Sequence, residues 1–157
     1  MCFYIRKGSP MEQQIKPIQQ LLLHSVRETT FYDQATDHIV IPELKSTFAK
    51  YLWLRSEHIV GIQSFLSRID GRVPGTDSIL VPGGRLWEFF KDAVKRRDNS
   101  AILLSGVRYA NITLRKYAST MNLVHGKDHL HGMLHHHFAE IRDILNEFSS
   151  IKVNRSI

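Results

Sequence analysis

Apolar side chains return at steps of four, four, three, four and three through residues 129–148, as Leu130, Leu134, Phe138, Ile141, Leu145 and Phe148. That spacing lines one side of a helix of period 3.6; in a strand the same residues would scatter over both faces. Gly132 weakens the first turn by about 1 kcal/mol of helix propensity relative to alanine, so the pattern allows a start at His129 or at Met133. Ser149 and Ser150 are read as its end.

Earlier segments repeat the signature. Ile18, Leu21, Leu22, Ser25 and Val26 share a face, which predicts a helix starting between Pro10 and Pro17, because proline suits a first turn and not an interior. It is expected to end near Thr30, with Phe31 and Tyr32 covering the core and residues 33–41 as a linker. Pro42 marks a second start, and Leu44, Phe48, Tyr51 and Leu52 follow helical spacing. Trp53 and Leu54 make this segment apolar nearly all round, the mark of a buried central helix. Ile59, Ile62, Phe65, Leu66 and Ile69 form a stripe that either continues this helix through Gly61 or follows it.

Residues 70–84 hold four glycines and two prolines, which predicts a long loop. Ile79, Leu80 and Val81 are expected to tuck inward between its turns. Leu86, Phe89, Phe90, Ala93 and Val94 then predict a helix over 85–97. Asp98, Asn99 and Ser100 read as a break and a new N-cap. Leu103, Val107, Ala110, Leu114, Ala118 and Met121 carry a further helix to about Asn122, followed by a turn around Gly126. The pattern thus predicts an all-α fold: one helical domain of five or six helices over residues 1–150, with a short N-terminal arm, a Gly/Pro-rich central loop and a C-terminal tail over 151–157. Phe48, Trp53, Phe65, Trp87 and Phe90 are the expected centre of the core.

Composition narrows the class. A chain of 157 residues with 43% apolar and 23% charged side chains can bury a continuous core and is not a disordered type. No uncharged apolar run reaches 18 residues, so no membrane span is expected, and the first ten residues lack the pattern of a signal peptide. Cys2 is the single cysteine. An intrachain disulfide and a thiolate zinc cluster are thereby excluded, which fits a reducing, cytoplasmic setting.

Charge is distributed unevenly. Residues 1–84 carry nine basic and eight acidic groups, residues 85–127 nine and three, and residues 128–157 three and four. The whole net charge of +6 is therefore focused in the middle segment. Lys91, Lys95, Arg96, Arg97, Arg108, Arg115, Lys116 and Lys127, interleaved with Tyr109 and Tyr117, are candidates to contact phosphates and stack on bases. The expected function is that of a small non-enzymatic binding protein with an anionic partner, nucleic acid first. An acidic protein surface, or solubility alone, accounts for the same excess. The leading rival is a helical interaction or assembly subunit, with homo-oligomer formation suggested by the wide apolar arcs.

Six histidines fall between His125 and His137. On a helix His131 and His135 lie one turn apart, as do His136 and Glu140 on roughly the opposite side. Either pair is a candidate for half of a divalent metal site such as zinc, with the remaining ligands from elsewhere. A metal-dependent hydrolase is accordingly a third functional expectation, although the arrangement is not HExxH and no general-base glutamate stands in the required place. Otherwise no cofactor is expected: no GxxxxGK[ST], GxGxxG or GxSxG pattern occurs.

Overall fold

Five helices carry the structure: α1 (Pro10–Thr36), α2 (Pro42–Ile69), α3 (Arg85–Lys95), α4 (Asn99–Leu123) and α5 (Asp128–Ser150). The computed structural model describes residues 10–69, 73–75, 82–124 and 128–153, and among these all regular structure is α-helical. The all-α expectation holds. Residues 42–69 form one helix, and Gly61 within it faces the Met133 thioether and the His137 ring, which a Cβ there would meet at ordinary contact distance. Ile79, Leu80 and Val81 lie outside the described residues.

Cross-helix pairs fix the arrangement. Glu28 meets Arg55, and Tyr32 meets Phe48, between α1 and α2. His58 meets Glu140, and Phe48 meets Phe148, between α2 and α5. Tyr117 meets His137 between α4 and α5, and Val124, just past the end of α4, meets His131. His24 meets Thr113, and Tyr32 meets Gly106, between α1 and α4. In every pair the residue numbers rise on one helix as they fall on the other, so neighbours run antiparallel around a ring α1–α2–α5–α4. α3 packs outside this ring on α4, and its Trp87 and Phe90 rings meet Phe31 of α1 edge-on at 5.8 and 5.6 Å.

Several sequence expectations are corrected. α1 starts at Pro10, at the near limit of the expected range, but holds Pro17 in its interior and runs to Thr36 rather than ending near Thr30. It continues past Thr30 because Phe31, Tyr32 and Ala35 are buried at successive turns, while Thr29, Thr30 and Thr36 return their hydroxyls to carbonyls one turn back. Trp53 is 66% exposed. The inward stripe of α2 is Leu44, Phe48, Tyr51, Arg55, His58, Ile62 and Leu66, and the helical period turns Trp53 away from it. Phe48 and Phe90 are fully buried as expected, whereas Phe65 and Trp87 pack at the core's margin. α3 ends at Lys95, and α4 starts behind Asp98, whose side chain accepts from the Ala101 N–H. α5 begins before Gly132 and includes Ser149 and Ser150. Beyond it Ile151 is buried against the core. Among the described residues no helix is long and apolar enough to cross a membrane.

Candidate functional site

The interior of the ring is not uniformly apolar. Arg55 projects from α2 into the centre with no accessible surface, and so does Glu28 from α1. A buried charge needs a partner and a full set of hydrogen bonds, and three helices, α1, α2 and α4, supply them. Arg55 Nε donates to Glu28 Oε1 at 2.8 Å. Its Nη1 donates to His58 Nδ1 and to the Tyr117 hydroxyl, each at 2.8 Å, and its Nη2 donates to Ser25 Oγ. Glu28 Oε2 accepts from the Tyr51 hydroxyl at 2.8 Å and from Thr113 Oγ1 at 2.6 Å.

These bonds settle the proton positions of three histidines. Arg55 can only donate, so His58 Nδ1 accepts, and His58 Nε2–H donates to Glu140 Oε1 at 3.1 Å. Tyr117 accepts from Arg55, so its own proton goes to His137 Nδ1, 3.0 Å away. Thr113 gives its proton to Glu28, so it accepts from His24 Nε2–H at 2.8 Å. The His58 and His137 rings stack with centroids 3.9 Å apart. Among the described residues no buried side-chain nitrogen or oxygen lacks a partner.

Electrostatics follow from burial. Burial and then the Arg55 charge lower His24 to about 3, His58 to about 2 and His137 to about 3, so all three are neutral. Burial pushes the Glu28 carboxyl up, while Arg55 and the hydrogen bonds from Thr113 and Tyr51 pull it down. Every one of those donors addresses the carboxylate, so the charged pair is the form that the geometry fits. Burial opposes the Arg55 charge, but Tyr117, Glu28 and Tyr51 hold its pKa above the ordinary value. The chain of bonds reaches the surface at Glu140, which is 35% exposed. With Arg55 and Glu28 sealed from solvent, its chemistry is positional: it joins four helices in one register.

Among the described residues the histidine cluster, of which His125 lies outside them, forms no metal centre, which corrects that expectation. Among the described residues no group of three or more His, Cys, Asp or Glu side chains is placed to hold a metal. Successive helical positions differ by about 100°, so His135, His136 and His137 diverge. His137 turns into the core, and His135 and His136 stay exposed. The His131 and His135 rings lie 6.4 Å apart, and His131 Nε2 is engaged by the Val124 carbonyl. His136 and Glu140 do meet, at 3.2 Å, but as a surface pair shared with His58.

The basic segment divides. Lys91 pairs with Glu88 at 3.1 Å, and Arg96 pairs with Asp92 at 2.8 Å and Asp98 at 3.2 Å. Lys95, Arg97, Arg108, Arg115 and Lys116 are exposed and form no salt bridge among the described residues. The Arg108 guanidinium lies 4.9 Å from the centroid of the Phe89 ring. Arg27 of α1, also exposed, joins this side: it and Lys116 both act on His24. Tyr117 is wholly buried, and Tyr109 is half-buried against Phe31 and His24. Neither offers an open ring to a base. Lys127 lies outside the described residues.

Sequence reasoning named Tyr117, Glu140 and the histidine-rich helix but missed Glu28 and Arg55 as a pair. One signal was present: each occupies an apolar stripe, at the turn after Ser25 and the turn after Tyr51, where a charged side chain needs an explanation. Comparison of the chain with protein-family models, with curated proteins and with solved structures gave no match.

Proposed function

We propose that this chain is a small binding protein that grips an anionic partner, nucleic acid being the class to test first, through the outer face of α4 with the adjoining cations of α3 and α1. The observation that carries this reading is exposed charge that forms no salt bridge among the described residues: Lys95, Arg97, Arg108, Arg115, Lys116 and Arg27. Arg108 and Arg115 are seven residues apart on one helix face, about 10 Å along its axis. Lys91 and Arg96, already paired, contribute less. With Tyr117 internal and Tyr109 half-covered, the contact is to phosphates rather than to bases, and sequence preference is expected to be weak.

The test is a fluorescence-anisotropy titration of labelled duplexes at several salt concentrations. Replacing Arg108 and Arg115 together by alanine is expected to weaken binding to all duplex sequences alike. It should also reduce the slope of log affinity against log salt by about 2, since each lost phosphate contact removes about 0.9. A titration at low salt that the double substitution leaves unchanged rejects the proposal.

A further inference from the structure

The opposite edge of the ring, between α2 and α5, has the reverse character. A groove of about 390 Å³ runs there, lined by Lys50, Trp53 and Leu54 of α2 and by Glu140, Asp143, Ile144 and Glu147 of α5. Trp53 stands 66% exposed on its wall, and Val60, two turns along α2, is 57% exposed. Trp is the residue most enriched where one protein anchors another, and an outward-turned Trp beside an apolar floor is the usual form of such an anchor. Three carboxylates line the groove against a single amine, and that amine, Lys50, is held by Glu147 at 2.6 Å. Exposed Glu57, one turn beyond Trp53, adds a fourth acid. Glu140 is shared between His58 and His136, whereas Asp143 has no salt bridge among the described residues.

We infer that this groove docks a cationic amphipathic helix of another protein, with apolar side chains against Trp53, Leu54 and Ile144 and lysine or arginine side chains toward Asp143, Glu140 and Glu57. Charge complementarity selects the occupant: an acidic or uncharged segment would leave the carboxylates without counter-charge, and an anionic polymer is repelled. Shape agrees. The groove lies between two antiparallel helices, and the acids from Glu140 to Glu147 span seven residues, about 10 Å or two helical turns, which suits a third helix laid along the seam. The surface is independent of the basic face on α4, so the chain can hold a polyanion on one side and a basic partner on the other.

The test uses the full chain with Trp87→Phe, leaving Trp53 as its one indole. Two synthetic 18-residue peptides serve as probes, one of leucine and lysine at helical spacing, the other with glutamate in place of every lysine. The lysine peptide is expected to bind saturably with a blue shift of Trp53 emission and to weaken as salt is added. Its affinity should fall at least tenfold with Asp143→Lys plus Glu147→Lys, while the glutamate peptide gives no shift. In the chain that retains Trp87, Trp53→Ala is expected to cost similar affinity by calorimetry without altering helicity. The inference is overturned if the lysine peptide binds the charge-reversed chain equally well, if it does not bind at all, or if sedimentation shows a dimer that Trp53→Ala abolishes, since a second copy would then be the occupant.

Discussion

Arg55 carries its charge at a position with no accessible surface, and what it needs there decides much about its neighbours. Four of its N–H groups are matched to Glu28, Ser25, Tyr117 and His58, and its guanidinium carbon also lies 5.1 Å from the centroid of the Tyr117 ring. Such a set stabilises little against a well-packed apolar alternative, but losing one member strands the rest. Arg55→Met is therefore expected to destabilise the protein by about 3–5 kcal/mol, chiefly because Glu28 keeps a buried charge without its counter-ion. Adding Glu28→Gln should recover part of that loss, since the stranded charge is then gone. Urea denaturation of the two variants checks the order; a double variant no more stable than Arg55→Met alone contradicts it.

At the scale of elements, the close approach of α4 to α1 and α2 rests on Gly106. A Cβ there would lie 2.8 and 2.9 Å from the Phe48 ring and 3.3 Å from the Tyr32 hydroxyl, and that hydroxyl donates to the Gly106 carbonyl at 2.8 Å. Both rings are fully buried and have no slack. Gly106→Ala gains about 1 kcal/mol of helix propensity and loses more to overpacking, for a net cost of about 1–2 kcal/mol. A thermal melt showing the variant equal to or more stable than the parent would mean that α4 shifts freely, and that the antiparallel ring is looser than its contacts imply. Along the sequence Gly106 is only a residue of low helix propensity. Its necessity comes from a ring on another helix 58 positions away.

For the whole molecule the three buried imidazoles set the response to acid. His24, His58 and His137 are lowered to about 3, 2 and 3 in the folded chain, against an ordinary value near 6.5 once unfolded. Below pH 6.5 the unfolded chain takes up protons that the folded chain refuses. Stability is therefore complete above that pH and is lost as pH falls toward 3, by up to about 1.4 kcal/mol per unit for each histidine and about 4 for the three together. Unfolding followed by circular dichroism is expected above pH 4, and His58→Gln should flatten the decline between pH 6 and pH 4 by about a third. A chain equally stable at pH 7 and pH 4.5 would show that these rings gain protons without opening the bundle.

Apolar periodicity placed the helices along the chain, though not their ends, because burial of a stripe is a local property of a sequence with period 3.6. The order of charged residues located the excess charge, and Asp98, Asn99 and Ser100 marked the break before α4. Three things were decided only by packing. Trp53 was indistinguishable from Phe48 while α2 was read alone, and only the neighbours of α2 show that one side of it lacks a cover. The histidines look like one cluster in a linear chain, but a helix separates them by angle, and the one that turns inward, His137, joins a network that also draws on α1, α2 and α4. Glu28 and Arg55 are 27 residues apart, and no local rule pairs them; the antiparallel α1–α2 hairpin brings them together, and the full burial of both side chains makes the pair obligatory.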